Sequence, residues 1–176
     1  MDILSVLDSI SYAVTSEGKF NNINSGGCAY FALFVKHHLD FIGVDNEFVY
    51  IDDRDSDTPE EIIDRIMHNW HRGSAAHVGL RIGDKYFDSN GVYDDINQWQ
   101  YEYSTENIVP FNMSVADYYE HAIVNKRHDW SSWYEYKKNN ESLQTIINLN
   151  FESWYKQRNL EVTEIKRVQK ELQSLK

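Results

Sequence analysis

The segment from Cys28 to Leu39 is apolar around almost its whole helical circumference, and this limits the possible folds more than any other part of the chain. Ala29, Tyr30, Phe31, Ala32, Leu33, Phe34 and Val35 leave no continuous polar face. A surface helix shows one apolar stripe, whereas a helix apolar all round has to be covered from several sides. Other elements are therefore expected to wrap around it. Immediately upstream, Asn21-Asn22-Ile23-Asn24-Ser25-Gly26-Gly27 is built of turn formers, so the helix should begin at Cys28 or a close neighbour.

The rest of the chain can supply the cover. With 176 residues and 14% aromatics it has the size of one domain, and such a chain buries roughly two-thirds of its unfolded surface. Ile3, Leu4, Val6, Leu7, Ile10, Ala13 and Val14 recur at helical spacing and predict a first amphipathic helix. Glu47 to Ile51 alternates and reads as a strand. Thr58-Pro59-Glu60-Glu61 is a helix start with Thr58 as cap and Glu61 closing a capping box, and the helix should run to about Trp70. Ala75 to Ile82 and Lys85 to Phe87 flank Gly83-Asp84, a two-residue hairpin signal.

The hairpin fixes side-chain faces. If Ile82 pairs with Lys85, Leu80 faces Phe87 and Gly79 faces Asp88. Val78, Leu80, Ile82 and Phe87 then form the core face, while His77, Gly79, Arg81, Tyr86 and Asp88 share the other, outside the core. His77 and Asp88 become diagonal neighbours within hydrogen-bonding reach. Beyond the hairpin, Ile108 to Phe111 is extended, and Ser114 to Val124 and Glu141 to Lys156 read as helices. Val162, Ile165, Val168, Leu172 and Leu175 make a final apolar seam suited to a docked helix. No repeat or linker divides the chain. Residues 1–125 are read as the catalytic-type part, and 126–176 as a helical extension packed on it.

Charge and cysteine usage narrow the function. The net charge of −11 is concentrated in residues 1–125, which carry −14 against +3 for the remainder. Such acidity disfavours phosphate backbones and anionic lipid, so neither nucleic acid nor membrane is an expected partner. The chain lacks a basic start with a long apolar run, and no stretch of roughly 18 apolar residues occurs, which points to a cytoplasmic setting. A single cysteine forms no internal disulfide. Its neighbours instead suit it to chemistry.

A cysteine hydrolase needs a thiolate, a base, a group orienting the base and donors for an oxyanion. Cys28 sits at an expected helix N-terminus, where the macrodipole and free N–H groups lower a thiol pKa. Gly26 and Gly27 allow a sharp turn and close approach of a substrate carbonyl, and with Gly79 and Tyr86 they are the candidate binding positions. The Cys28 N–H, with an amide from Asn22 or Asn24, is the candidate oxyanion hole. His77 is the candidate base, and Asp88 is placed by the hairpin register to orient it.

Gly26-Gly27-Cys28-Ala29-Tyr30-Phe31-Ala32-Leu33, followed by His77-Val78-Gly79-Leu80-Arg81-Ile82-Gly83-Asp84-Lys85-Tyr86-Phe87-Asp88, resembles the papain-like superfamily in its compact bacterial and phage forms, NlpC/P60-type and transglutaminase-like enzymes included. The likeness covers about residues 20 to 92. It implies an α+β fold, with the Cys-bearing helix packed on a small antiparallel sheet and C-terminal helices added. It further implies that Cys28 is nucleophile, His77 general base and acid, and Asp88 the orienting residue, with Asn22 where an amide donor belongs. The reaction implied is cleavage or transfer at an amide, isopeptide or related acyl bond through a thioester, without cofactor. The surrounding acidity favours a neutral or basic peptide or protein as substrate. The rival reading is a non-catalytic acidic binding or inhibitory protein that keeps the fold.

Other clusters carry less. His68 and His71 would share a helix face, but no cysteine pair or carboxylate cluster completes a metal set. Asp52 to Asp57 lacks the glycine and terminal Glu of a calcium loop and reads as a solvated loop. The aromatics Tyr101, Tyr103, Tyr118, Tyr119, Trp130, Trp133, Tyr134 and Tyr136 read as core and rim packing.

Overall fold

The computed structural model describes residues 2–16, 20, 23, 27–52, 58, 61, 75–103, 107–120, 131–157, 166, 167, 170 and 171. The periodic N-terminal segment forms α1 (Ile3–Ser16), and the apolar segment forms α2 (Cys28–Phe41). Strands β1 (Glu47–Asp52), β2 (Ala75–Ile82), β3 (Lys85–Asp88) and β4 (Gly91–Tyr93) precede α3 (Ile96–Tyr103). Strand β5 (Asn107–Phe111), α4 (Val115–Tyr118) and α5 (Ser131–Gln157) complete the order. The fold is α+β.

The strands form one sheet in the order β4-β3-β2-β1-β5, each neighbour antiparallel. The hairpin register is the one its turn demands: Ile82 pairs with Lys85 and Leu80 with Phe87. Gly83 adopts φ 63°, the left-handed conformation that a two-residue turn requires. The β2–β3 ladder ends at Leu80 and Phe87, one pair short of the expected Gly79–Asp88 partnership, and Asp88 instead pairs with Gly91 of β4.

Helix α2 lies against β1, β2 and β3 with α5 on another side, which is the cover its apolar sequence requires. Phe31, Leu33, Phe34, Val35 and Leu39 are buried with Phe48 and Tyr50 of β1, Val78 and Leu80 of β2 and Phe87 of β3. Burying each such side chain fully stabilises the fold by about 1.5–3 kcal/mol. Helix α1 turns Val6, Leu7, Ile10 and Val14 inward and packs on α5 and β4. From α5, Leu143, Ile147, Phe151 and Tyr155 enter the same core, so this helix is part of its filling.

Buried polar side chains tie α2 to α5. His38 is hydrogen-bonded through Nδ1 to the Tyr155 hydroxyl and through Nε2 to Asn148 Oδ1, both at 2.8 Å, and its ring stacks on Phe151 at 4.4 Å. Burial first of all holds its pKa down, to about 3, despite the Asn148 bond. Near the end of α2, Arg167 lies over the Phe41 ring at 5.3 Å and Glu171 stands 3.5 Å from His37.

Several sequence expectations change. Helix α5 begins at Ser131, ten residues before Glu141, and carries Asn139 and Asn140 inside it despite their weak propensity. The segment after Asn90 contains a strand and a helix the pattern did not indicate; α3 is short and polar, and Asp95 caps it by accepting from the Asn97 and Gln98 N–H groups at 2.7 and 3.0 Å. Helix α4 starts as expected, with Ser114 Oγ accepting from the Asp117 N–H. The capping box is formed: the Thr58 N–H donates to Glu61 Oε2 at 2.8 Å and the Glu61 N–H to Thr58 Oγ1 at 3.3 Å. The helix expected from there to Trp70, with His68 and His71, lies outside the described residues, as do the seam positions Val162, Ile165, Val168, Leu172 and Leu175.

Candidate functional site

Three elements bring Cys28, His77 and Asp88 together. Cys28 is the first residue of α2, whose N-terminus has no side-chain cap. Gly27 precedes it at φ −85°, ψ −15°, a conformation open to any residue, so left-handed freedom is not what this glycine supplies. His77 lies on β2 and Asp88 ends β3. His77 Nε2 lies 2.9 Å from Asp88 Oδ2, the diagonal contact read from the hairpin register.

An ionised carboxylate only accepts, so the bond to Asp88 places a proton on Nε2 and leaves Nδ1 as the ring nitrogen that the carboxylate does not engage. Burial pushes the Cys28 thiol up, but the His77 ring, its charge and the Val78 and Ala29 N–H groups outweigh that and bring the pKa below its ordinary value. Burial likewise lowers His77, yet hydrogen bonds to Asp88 and Cys28 and the charges of both raise it to about 9. The two directions favour a thiolate beside an imidazolium. Tyr118 packs in the same core as Cys28; burial pushes its phenol well up, and the negative charge of the thiolate adds to that.

The expectation that His77 lies outside the core is corrected. His77 is 0% exposed and Asp88 1%, with Cys28 at 7%. The physical reason is a second apolar layer on the far side of the sheet, where Val49 and Ile51 pack with Trp99 of α3. The two-residue period assigns faces but does not say what covers them.

Trp99 is the site's missed residue. Its Nε1–H donates to Asp88 Oδ2 at 2.8 Å, the oxygen that also accepts from His77. The other carboxylate oxygen accepts from the Asn90 N–H at 2.7 Å, and Ser11 Oγ donates to the Asp88 carbonyl at 3.0 Å from α1. Both proposed binding positions on this hairpin contact the indole: Tyr86 stacks on it at 5.5 Å, and Gly79 lies under it. A glycine inside a strand marks close approach by another group, and that was the available signal. Ser11, a polar residue within the buried stripe of α1, was another.

Asn22, Asn24 and Gly26 lie outside the described residues. Among the described residues no group of three or more His, Cys, Asp or Glu side chains could hold a metal ion, and no helix is long and apolar enough to cross a membrane. Elsewhere, near the C-terminal end of α2, Lys36, Asp40, Asn46, Asn112 and Ser114 border an open groove of about 500 Å³.

The fold and site thus define an α+β protein with a buried Cys–His–Asp cluster at a helix start. No known family model, curated protein or solved structure matches the chain significantly.

Proposed function

We propose that this chain is a papain-like, cysteine-dependent hydrolase or acyltransferase acting on an amide, isopeptide or related acyl bond. The observation that carries the reading is the His77 ring, hydrogen-bonded to the Asp88 carboxylate while raising the thiolate character of Cys28. In this mechanism the thiolate attacks the carbonyl carbon and the carbonyl oxygen becomes an oxyanion, met by the Cys28 N–H and by an amide from Asn22 or Asn24. The imidazolium gives its proton to the leaving nitrogen as the C–N bond breaks, leaving a thioester. Water, deprotonated by His77, then attacks the thioester and releases the acid and the thiol. In acyl transfer an amine takes the place of water.

Asp88 keeps the ring oriented and supports its positive form. The acidity of residues 1–125 favours a neutral or basic peptide or protein substrate and disfavours nucleic acid or an anionic membrane. A reducing cytoplasm, in which a thiol stays free, is the setting we propose.

The burial of all three side chains favours a second reading, a non-catalytic acidic binding protein on the same fold. The rate of Cys28 alkylation by iodoacetamide as a function of pH separates the two. The enzyme reading expects a midpoint well below the ordinary thiol value of about 8.5, rising in His77→Ala, where burial is opposed only by the Val78 and Ala29 N–H groups. An ordinary midpoint in the wild type, or one indifferent to His77→Ala, refutes it.

A further inference from the structure

Asp88 is held more tightly than an orienting carboxylate needs to be if His77 were its one concern. Its Oδ2 receives two donors, His77 Nε2 at 2.9 Å and Trp99 Nε1 at 2.8 Å, and its Oδ1 receives the Asn90 N–H at 2.7 Å. Trp99 is itself fixed on every side. It is fully buried, stacked on Tyr86, packed with Val49 and Ile51, and seated where Gly79 has no side chain. The indole ring also lies 5.9 Å from the His77 ring, closing the histidine off from solvent on that side.

We infer that Trp99 is a positioning residue for the Cys28–His77–Asp88 cluster, acting through the carboxylate oxygen that it shares with His77. The inference rests on the catalytic reading given above. A buried carboxylate keeps its charge only where donors replace water, and a hydrogen bond to the charged form favours that form. The indole N–H therefore does two things. It keeps Asp88 ionised, so that the imidazolium retains its counter-charge, and it fixes the rotation of the carboxylate, so that Oδ2 stays aimed at Nε2. A tryptophan serving only to fill the layer would need the ring but not the N–H.

The test compares pH profiles of Cys28 alkylation by iodoacetamide in the wild type, Trp99→Phe and Val49→Ala. Phe keeps an aromatic ring over Gly79 and removes the donor; Val49→Ala loosens the same layer and leaves the hydrogen bond in place. Trp99→Phe should move the Cys28 midpoint up by about one unit, which slows alkylation about tenfold at pH values below both midpoints. Val49→Ala should lower the melting temperature and leave the midpoint where it was. A low wild-type midpoint that Trp99→Phe leaves unmoved, or that Val49→Ala moves equally, overturns the role of Trp99 alone. A wild-type midpoint near 8.5 overturns the catalytic reading and this inference with it. Should Trp99→Phe fail to fold, the wild-type indole resonance decides. The Trp99 N–H signal should shift with the same midpoint as Cys28 reactivity, and a signal indifferent to that titration refutes the coupling.

Discussion

Replacing Gly79 by alanine adds one methyl group at the most crowded point of the second layer. The new Cβ would lie 2.7 Å from Trp99 Cζ2 and 2.8 Å from the Phe87 carbonyl oxygen, closer than side-chain carbons normally approach. Neither neighbour can yield cheaply. The Phe87 carbonyl belongs to β3, whose pairing with Leu80 holds the hairpin, and Trp99 is pinned between Tyr86 and Asp88. Overpacking of this kind costs about 1–3 kcal/mol. Against it stands a gain of about 0.5–1 kcal/mol, because alanine loses less backbone freedom than glycine in a strand. The steric cost wins, and a net loss of about 1–2 kcal/mol is expected. Urea unfolding measures this directly, as a lower midpoint at unchanged slope. One of the two clashes is with the indole, so in a Trp99→Phe background the cost of Gly79→Ala should fall by about half, a coupling that a double-mutant cycle isolates. A Gly79→Ala protein as stable as the wild type, or an equal cost in both backgrounds, would refute the packing argument.

Two further outcomes follow from groups outside that layer. His38 has a folded pKa near 3 against 6.5 in its ordinary state, so the unfolded chain binds the extra proton. Its contribution to stability is therefore complete above pH 6.5 and is lost as pH falls toward 3, at about 1.4 kcal/mol per pH unit; His38→Gln should flatten that slope in denaturant titrations from pH 6.5 to 4, and an unchanged slope would remove His38 as its cause. A chain cut after Asn125 should not fold, because Leu143, Ile147, Phe151 and Tyr155 fill the core around α2 and deleting even one large aromatic there costs about 3–5 kcal/mol. A cooperative thermal transition in residues 1–125 would show that the extension is separable after all.

The residues differ in how much of their placement was legible in the sequence, and the difference has a physical basis. Gly83-Asp84 specifies a turn whose twist allows one register, and that register places His77 within reach of Asp88. The apolar circumference of α2 required cover from several directions, which the sheet and α5 provide. By contrast, α3 has few apolar residues, and its stability comes from the Asp95 cap and from one tryptophan docking against the sheet. Local pattern carries little trace of such a helix because its decisive contact, Trp99 with Asp88 and Gly79, is tertiary. For the same reason the face bearing His77 looked solvent-facing by alternation and is sealed in the folded chain.

That sealing bears on why the cluster exists. A buried ion pair is an inefficient way to stabilise a fold, since well-packed apolar residues of similar volume often do as well or better, while removing one partner costs about 3–5 kcal/mol. Cys28, His77 and Asp88 occupy the junction between the α2 core and the Trp99 layer, where aliphatic side chains would pack without any need for donors. The chain instead recruits the Trp99 indole, the Asn90 N–H and the Ser11 hydroxyl, from three separate parts of the sequence, around a single aspartate. The Ser11 hydroxyl holds the backbone carbonyl, while the Trp99 and Asn90 donors converge with His77 on the buried carboxylate, an arrangement that makes sense if its charge acts on the ring of His77 and through that ring on the thiol. A purely structural account would have to explain both the cost of the cluster and its aim at Cys28.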